Sequence, residues 1–189
     1  MILSQKSKHI ESTFFMHDFE KLASTLNNLM AKKTPVLLIG VTYALLDFAA
    51  FYNKALTNVI VMETGGMKGK REELTKAEVH SILKEYFHLE KIHAEYGMTE
   101  LLSQAYSHGD GLFQTPTWMR VLIRDSYAPN FYLEKNRTGG INVIDLANYY
   151  SCSFIETSDM GKLIEDDYFE VLGRIDTAEI RGCNLMYEG

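Results

Sequence analysis

Apolar residues in the first half of the chain fall into helical repeats and continuous runs that alternate along the sequence. Between Phe19 and Leu29 they follow steps of three and four, which predicts one buried face of a helix. The runs VLLIG (36–40) and NVIVME (58–63) are typical of strands that are buried on both faces in a parallel sheet. Residues 43–52 lie between these runs and are predicted to form a helix.

A third helix is predicted after Thr75, because Thr75 and Glu78 have the spacing of a capping box. Apolar residues continue at helical spacing from Val79 to Phe87. Strands that alternate with helices in this way indicate βαβ units and a parallel sheet.

The pattern changes near residue 110, where short strands replace the helices. Met119, Val121 and Ile123 alternate with Arg120 and Arg124, as in a strand with one buried face. Three further segments with strand character follow, and they are GGINVIDLA, YYSCSFIE and DYFEVLGRI. We therefore expect an α/β (α+β) fold in which a βαβ parallel layer (1–110) precedes a mainly antiparallel β region (111–189), as one structural unit.

Composition narrows the function classes. The chain has 189 residues, of which 46% are hydrophobic, and this suffices for a domain with a real core. A net charge of −6 disfavours a nucleic-acid partner.

The sequence shows no membrane or secretion signal. No apolar run reaches the roughly 18 residues that span a bilayer, and the N-terminus lacks the basic region followed by an apolar region that marks a secretory signal. We therefore expect a cytoplasmic protein without a membrane partner. Cys152 and Cys183 are too few for a disulfide framework, and Cys152 and Trp118 are expected in the core.

Two candidate sites follow predicted strands. Gly65 and Gly66 come directly after the second apolar run, where glycine lets a backbone approach a ligand closely. The alternative is a glycine-rich turn without a ligand. Further along, Thr99 is expected to begin a helix whose free N–H groups would bind phosphate, beside Glu100 as a Mg²⁺ ligand and an exposed Tyr96 ring for an aromatic base. The alternative is an ordinary N-cap with Tyr96 in the core.

Two further candidate segments lie in predicted turns, and one of them contains a carboxylate while the other contains a guanidinium. The segments are TSDMG, with Asp159, and GRID, with Arg174. A carboxylate accepts hydrogen bonds from ribose hydroxyls and a guanidinium donates to them. The alternative is that both segments are turns between strands.

Taken in order, the four segments resemble the motifs of the adenylate-forming superfamily of acyl-CoA synthetases, peptide-synthetase adenylation domains and luciferases. The resemblance covers residues 34–189 and about the second half of that family's large domain. It implies ATP and Mg²⁺ as cofactors, with Mg²⁺ on Glu100 and with Asp159 and Arg174 on the ribose. The other implied nucleotide contacts are the adenine segment with Gly65 and Gly66, the stacking ring Tyr96, and the phosphate-binding motif with Gly97 and Thr99.

The segments ETGGMKG and TSDMGKL and the C-terminal sequence are most similar to the acyl-protein synthetase (LuxE-type) branch. That resemblance implies a fatty acid substrate, an acyl-reductase partner, Thr99 as a catalytic residue and Cys183 as the nucleophile that captures the acyl group. Val41, Thr42 and Met98 are expected to line the acyl pocket. The mobile C-terminal domain and the upstream phosphate loop of the family have no counterpart in the sequence.

Two alternatives stay open from the sequence. One is a fragment of an AMP-forming acyl-CoA ligase, in which coenzyme A takes the acyl group. The other is a non-catalytic half-domain that binds a nucleotide or a partner. We also expect self-association or a missing N-terminal half, because a half-domain exposes a sheet edge and apolar surface.

Overall fold

In the described part of the chain, three α-helices precede or connect the first strands. The computed structural model describes residues 9–65, 74–109 and 111–174. The helices are α1 (Phe19–Ala31), α2 (Thr42–Tyr52) and α3 (Lys76–Phe87). The capping box at the start of α3 is confirmed, since the Thr75 side chain accepts from the Glu78 amide and the Glu78 side chain accepts from the Thr75 amide.

Within the described ranges, nine strands form one sheet in the order β1-β2-β3-β4-β5-β9-β8-β7-β6. The first three are parallel, and all later pairs are antiparallel. The change of direction lies between β3 and β4, earlier than the sequence pattern suggests. The strand bounds are β1 (Val36–Val41), β2 (Val59–Thr64), β3 (His93–Tyr96), β4 (Ala105–Ser107), β5 (Leu112–Gln114), β6 (Met119–Arg124), β7 (Thr138–Asp145), β8 (Phe154–Glu165) and β9 (Tyr168–Arg174).

The helices pack on one face of the parallel strands. Val59 and Val61 of β2 are buried in a core that all three helices share. On the opposite face, Leu37 and Ile60 pair across β1 and β2 and are 49% and 50% exposed. The prediction that both strands are buried on both faces is therefore wrong, because a run of apolar residues does not determine which sheet faces are covered.

A second core lies between the antiparallel strands, and it contains Phe113 and Phe169, both fully buried. Arg124 is buried there as well, and its guanidinium donates to the carbonyl oxygens of Ile141 and Thr157.

Two expectations about the core are wrong. Trp118 is 53% exposed, with its indole N–H donating to the Ser103 hydroxyl at 2.9 Å. Cys152 precedes β8 and is exposed rather than buried in a strand. Trp118 lies in a turn directly before β6 and Cys152 lies in an irregular segment two residues before β8, so neither side chain is on the buried face of a strand.

Candidate functional site

Three residues from separate strands meet where β3 faces β8 and β9. The Tyr96 hydroxyl donates to Asp159 Oδ2 at 2.9 Å, and Arg174 Nε lies 3.6 Å from Asp159 Oδ1. We call Tyr96, Asp159 and Arg174 the Tyr–Asp–Arg cluster. Each was a separate candidate in the sequence, and Asp159 lies 63 positions from Tyr96.

The sheet register explains this convergence. Asp159 and Arg174 are direct partners across β8 and β9, so their side chains lie on the same face. The segments expected to be turns are therefore strands near this point, because Asp159 lies within β8 and Arg174 ends β9. A carboxylate and a guanidinium side by side can bind a pair of vicinal hydroxyls.

Tyr96 is a buried ring rather than an exposed one. It is 7% exposed and packs edge-on against Phe113 and Phe169, with ring centroids 6.0 and 5.4 Å away. Its faces are therefore not open for a base to stack on. Burial, followed by the neighbouring Asp159 carboxylate, raises the pKa of the Tyr96 hydroxyl, which keeps it a hydrogen-bond donor.

The predicted helix at Thr99 does not form. Residues 99–100 make a turn, closed by a 3.1 Å hydrogen bond from the Leu101 amide to the Met98 carbonyl. The amides of Leu102 and Ser103 then donate to Asp145 Oδ2, at 3.1 and 2.9 Å, instead of to helical carbonyls. The long-range contact with Asp145 thus replaces the helical hydrogen bonds that the local sequence favours.

Within this turn the side chains of Thr99 and Glu100 are exposed. Gly97 is exposed too, and Met98 is half-buried against the second core. Within the described ranges, no hydrogen bond or ion pair joins the Thr99 hydroxyl or the Glu100 carboxylate to the Tyr–Asp–Arg cluster.

Two other predicted residues meet at the carboxyl end of β2. Gly65 follows this strand with φ 73°, a left-handed conformation that suits glycine. The hydroxyl of Thr42, at the start of α2, donates to Glu63 Oε2 at 2.7 Å and lies 3.3 Å from the Gly65 carbonyl oxygen. Thr42 is 4% exposed, so its hydroxyl serves this buried contact rather than an acyl pocket, while Val41 is half-buried.

Sequence reasoning missed the residues around Glu63. This carboxylate is 0% exposed, with Lys76 Nζ in contact and His80 Nε2 at 3.5 Å. Burial alone raises the pKa of the Glu63 carboxyl, but His80, Lys76 and Thr42 outweigh it and hold the pKa below its usual range. The one sequence signal was the charge of Glu63. The alternation of Val59 and Val61 predicts an apolar side chain at position 63, where this glutamate stands instead.

The candidates Gly66 and Cys183 lie outside the described residues. Within the described part of the chain, no three histidine, cysteine, aspartate or glutamate side chains cluster as a metal site. Mg²⁺ commonly binds one or two carboxylates together with substrate phosphates, so a single exposed Glu100 is a donor set that fits this ion. In the same described part, no helix is long and apolar enough to cross a membrane.

Solved structures share this fold, although no protein-family model and no curated protein sequence matches the chain. ATP-bound MatB from Rhodopseudomonas palustris matches with a TM-score of 0.59 and 19% identity over 86% of this chain and 34% of its own. A double mutant of o-succinylbenzoate CoA synthetase (MenE) from Bacillus subtilis matches with a TM-score of 0.57 and 17% identity, covering 81% and 33%. The amide bond synthetase McbA from Marinactinospora thermotolerans matches with a TM-score of 0.55 and 15% identity, covering 84% and 34%.

The chain thus spans about a third of the length of these structures. At such identities the likeness is one of fold. The predicted fold class is confirmed: a parallel α/β layer continues into antiparallel strands, and the matched structures share this fold.

Proposed function

We propose that this chain belongs to an ATP-dependent acid-activating ligase, which makes an acyl-adenylate from a fatty carboxylic acid and passes the acyl group to a protein cysteine. The observation that carries the proposal is the Tyr–Asp–Arg cluster. Three residues that match nucleotide motifs far apart in the sequence lie in direct contact, at 2.9 and 3.6 Å.

In this proposal Asp159 accepts hydrogen bonds from the ribose hydroxyls and Arg174 donates to them. Tyr96 holds the Asp159 carboxylate in place through its hydroxyl, since its ring is buried. The backbone of Gly65 and Gly66 contacts the adenine.

The proposed reaction begins when a carboxylate oxygen of the acid attacks the α-phosphorus of ATP and pyrophosphate leaves. The exposed Thr99 hydroxyl and the backbone of Gly97 would bind the phosphates. Glu100 would hold Mg²⁺, which when bound supplies positive charge beside the phosphate oxygens. The acyl chain would lie near Val41 and Met98.

The Cys183 thiolate would then attack the acyl carbonyl, forming a thioester while AMP leaves. This thioester stays activated, which suits transfer to an acyl-reductase partner. The alternative acceptor is free coenzyme A, and the likeness in fold to a protein described as a CoA synthetase favours testing it. ATP is a cytoplasmic cosubstrate, and we place the reaction in that compartment.

The chain spans about a third of the structures it matches, so the nucleotide step is best tested by binding. We expect AMP to bind to the wild-type chain in a calorimetric titration. Asp159→Asn should weaken binding about tenfold or more, because a hydrogen bond to a charged acceptor contributes about 1.5–3 kcal/mol and 1.4 kcal/mol is a factor of ten. Asp166→Asn is the matched control, since Asp166 is 74% exposed in the turn between β8 and β9. A wild-type chain that does not bind AMP would refute the proposed nucleotide site.

Acyl transfer is tested by intact-mass analysis after incubation with ATP, Mg²⁺ and fatty acids. We expect a gain of one acyl group that is labile to hydroxylamine, absent in Cys183→Ser and retained in Cys152→Ser. The Cys152 thiol is exposed, so it controls for non-specific acylation. Acyl-CoA formation without a protein adduct would instead support the coenzyme A ligase, and AMP binding with no release of pyrophosphate would support the non-catalytic module.

A further inference from the structure

A β-bulge in β8 lies directly at Asp159, the carboxylate of the Tyr–Asp–Arg cluster. The register of β7 and β8 shifts between Gly140 and Asn142. Ile141 alone therefore lies opposite residues 157–159 of β8. A bulge leaves residues of the longer strand outside the ladder and turns their side chains in a new direction. The backbone groups at this point need hydrogen-bond partners other than the facing strand.

Arg124 of β6 supplies such partners from the far side of β7. It is 6% exposed, and it donates to the Thr157 carbonyl at 2.8 Å and to the Ile141 carbonyl at 3.0 Å. It also donates to Asn142 Oδ1 at 2.7 Å, and its Nε lies 3.2 Å from Glu156 Oε1. Because a guanidinium carries five donors in a rigid planar fork, this one side chain connects the backbones of β7 and β8 at the bulge.

Gly140 leaves the space in which the guanidinium crosses β7. It is the direct partner of Arg124 across β6 and β7. A Cβ at position 140 would lie 2.4 Å from Arg124 Cζ, which is much closer than a van der Waals contact. Gly140 does not have a positive φ, so the backbone conformation does not require glycine there. The space for the guanidinium does.

The contacts at the bulge continue to the backbone of Asp159. The Thr157 hydroxyl donates to the Ile141 carbonyl at 2.8 Å and accepts from the Asp159 amide at 3.1 Å. Arg124 holds the carbonyl of the same threonine. The Asp159 carboxylate then accepts from the Tyr96 hydroxyl at 2.9 Å. Arg124 is thereby linked to the cluster through the backbone of residues 157–159.

Stability alone gives little reason for a buried guanidinium at position 124. Buried charges are often no more stabilising than apolar side chains of the same volume. Arg120 and Arg124 have the same parity in β6, yet Arg120 is exposed and Arg124 is buried. The hydrogen bonds that Arg124 makes at the bulge are a better explanation, because bulges occur where a strand directs a side chain into a site.

We propose that Arg124 and Gly140 are positioning residues, which fix the bulge in β8 and thereby aim the Asp159 carboxylate at the ribose hydroxyls. This inference rests on the proposed nucleotide site. Without the guanidinium the Thr157 carbonyl loses its buried donor, and residues 157–159 lose the contact that holds them in this register. Asp159 should then be displaced from the ribose, while the parts of the site built by other segments stay in place.

The test is a pair of calorimetric titrations, with AMP and with 2′,3′-dideoxy-AMP, which lacks both hydroxyls. We expect the wild type to bind AMP about tenfold more tightly, because hydrogen bonds to a charged acceptor are lost with the dideoxy compound. In Arg124→Met this ratio should fall towards one while the affinity for the dideoxy compound stays within about twofold. Arg124→Lys keeps the charge but not the planar fork, so its ratio should also fall. Arg120→Met is the matched control on the same strand and should keep the wild-type ratio.

Gly140→Ala tests the same device from β7, since its Cβ displaces the guanidinium while every donor is retained. Its AMP/dideoxy-AMP ratio should fall as in Arg124→Met, and the double variant should fall no further, because both changes remove one interaction. Additive losses in the double variant would show that the two residues act separately and would overturn the proposal.

The remaining outcomes distinguish this inference from the proposed function. If the wild type binds neither compound, the nucleotide site is wrong and this inference is wrong with it. If the wild type prefers AMP and Arg124→Met keeps that preference, the nucleotide site stands and the positioning role is overturned. Equal losses for the two compounds would also overturn it, because they indicate a general structural effect. Should Arg124→Met fail to fold, the ratios of Arg124→Lys and Gly140→Ala decide the question.

Discussion

Asp145 holds the turn after Thr99 and Glu100 against the end of β7, and its replacement by asparagine should destabilise the protein markedly. The carboxylate is fully buried and accepts four hydrogen bonds. Oδ2 accepts from the amides of Leu102 and Ser103, at 3.1 and 2.9 Å, and Oδ1 accepts from the Ser103 hydroxyl at 2.7 Å and the Ala147 amide at 3.0 Å. The asparagine side chain has the same shape but only one oxygen. Its NH₂ group, which is itself a donor, must therefore face two of the groups that donate to Asp145.

The expected loss follows from these four contacts. The least costly arrangement keeps the amide oxygen on Leu102 and Ser103 and lets the Ser103 hydroxyl turn to accept from the new NH₂ group. The Ala147 amide then loses a charge-assisted bond, which contributes about 1.5–3 kcal/mol, and the remaining bonds weaken because the acceptor is neutral. Asp145→Asn should therefore lower the free energy of unfolding by about 2–4 kcal/mol.

The assay is equilibrium unfolding in urea, followed by tryptophan fluorescence. Trp118 is the single tryptophan, and its indole N–H donates to the Ser103 hydroxyl that bonds Asp145, so it reports directly on this region. With a slope of about 2 kcal/mol per molar, the midpoint should fall by about 1–2 M urea.

Asp125→Asn is the matched control, because Oδ1 of Asp125 accepts from the amides of Tyr127 and Ala128 and an asparagine oxygen can accept both. Its midpoint should fall much less than that of Asp145→Asn, because no donor loses its acceptor and the site is less buried. An Asp145→Asn midpoint no lower than that of Asp125→Asn, with an unchanged slope, would refute the reasoning about buried acceptors.

Three further changes test the fold. Folding lowers the pKa of the Asp145 and Glu63 carboxyls, so their stabilising contribution is present above the unfolded pKa of about 4 and is lost as the pH falls through the folded values. The urea midpoint should therefore fall from pH 5 to pH 3, and a constant midpoint would contradict the two shifts. Gly161→Ala would place Cβ 2.5 Å from the Glu170 carbonyl oxygen across β8 and β9, and should lower stability by about 1–3 kcal/mol in thermal unfolding. Thr75→Ala removes the cap of α3 and should cost about 1 kcal/mol, seen as faster amide exchange in the first helical turn, whereas Thr75→Ser should exchange at the wild-type rate.

Features that depend on neighbouring residues in the chain could be predicted from the sequence. The steps of three and four between Phe19 and Leu29, and the capping box of Thr75, determine helices through contacts within one or two turns. The apolar strand runs follow from periodicity in the same way, whereas the change from parallel to antiparallel order lies between β3 and β4, earlier than the sequence pattern predicts. The motifs also pointed to Asp159 and Arg174, which the register of β8 and β9 then made direct partners.

Features that depend on distant residues were decided only by the tertiary structure. The helices cover one face of β1 and β2, so Ile60 is half-exposed although its run is apolar. Asp145 accepts hydrogen bonds from the amides of Leu102 and Ser103, 42–43 positions away, and a turn therefore replaces the helix that was predicted to begin at Thr99. The Tyr96 ring is buried because β5 and β9 bring two phenylalanines against it. In each case the observed arrangement is stabilised by residues that are distant in the sequence. The residues of a site can therefore be identified from the sequence, but their exposure and geometry cannot.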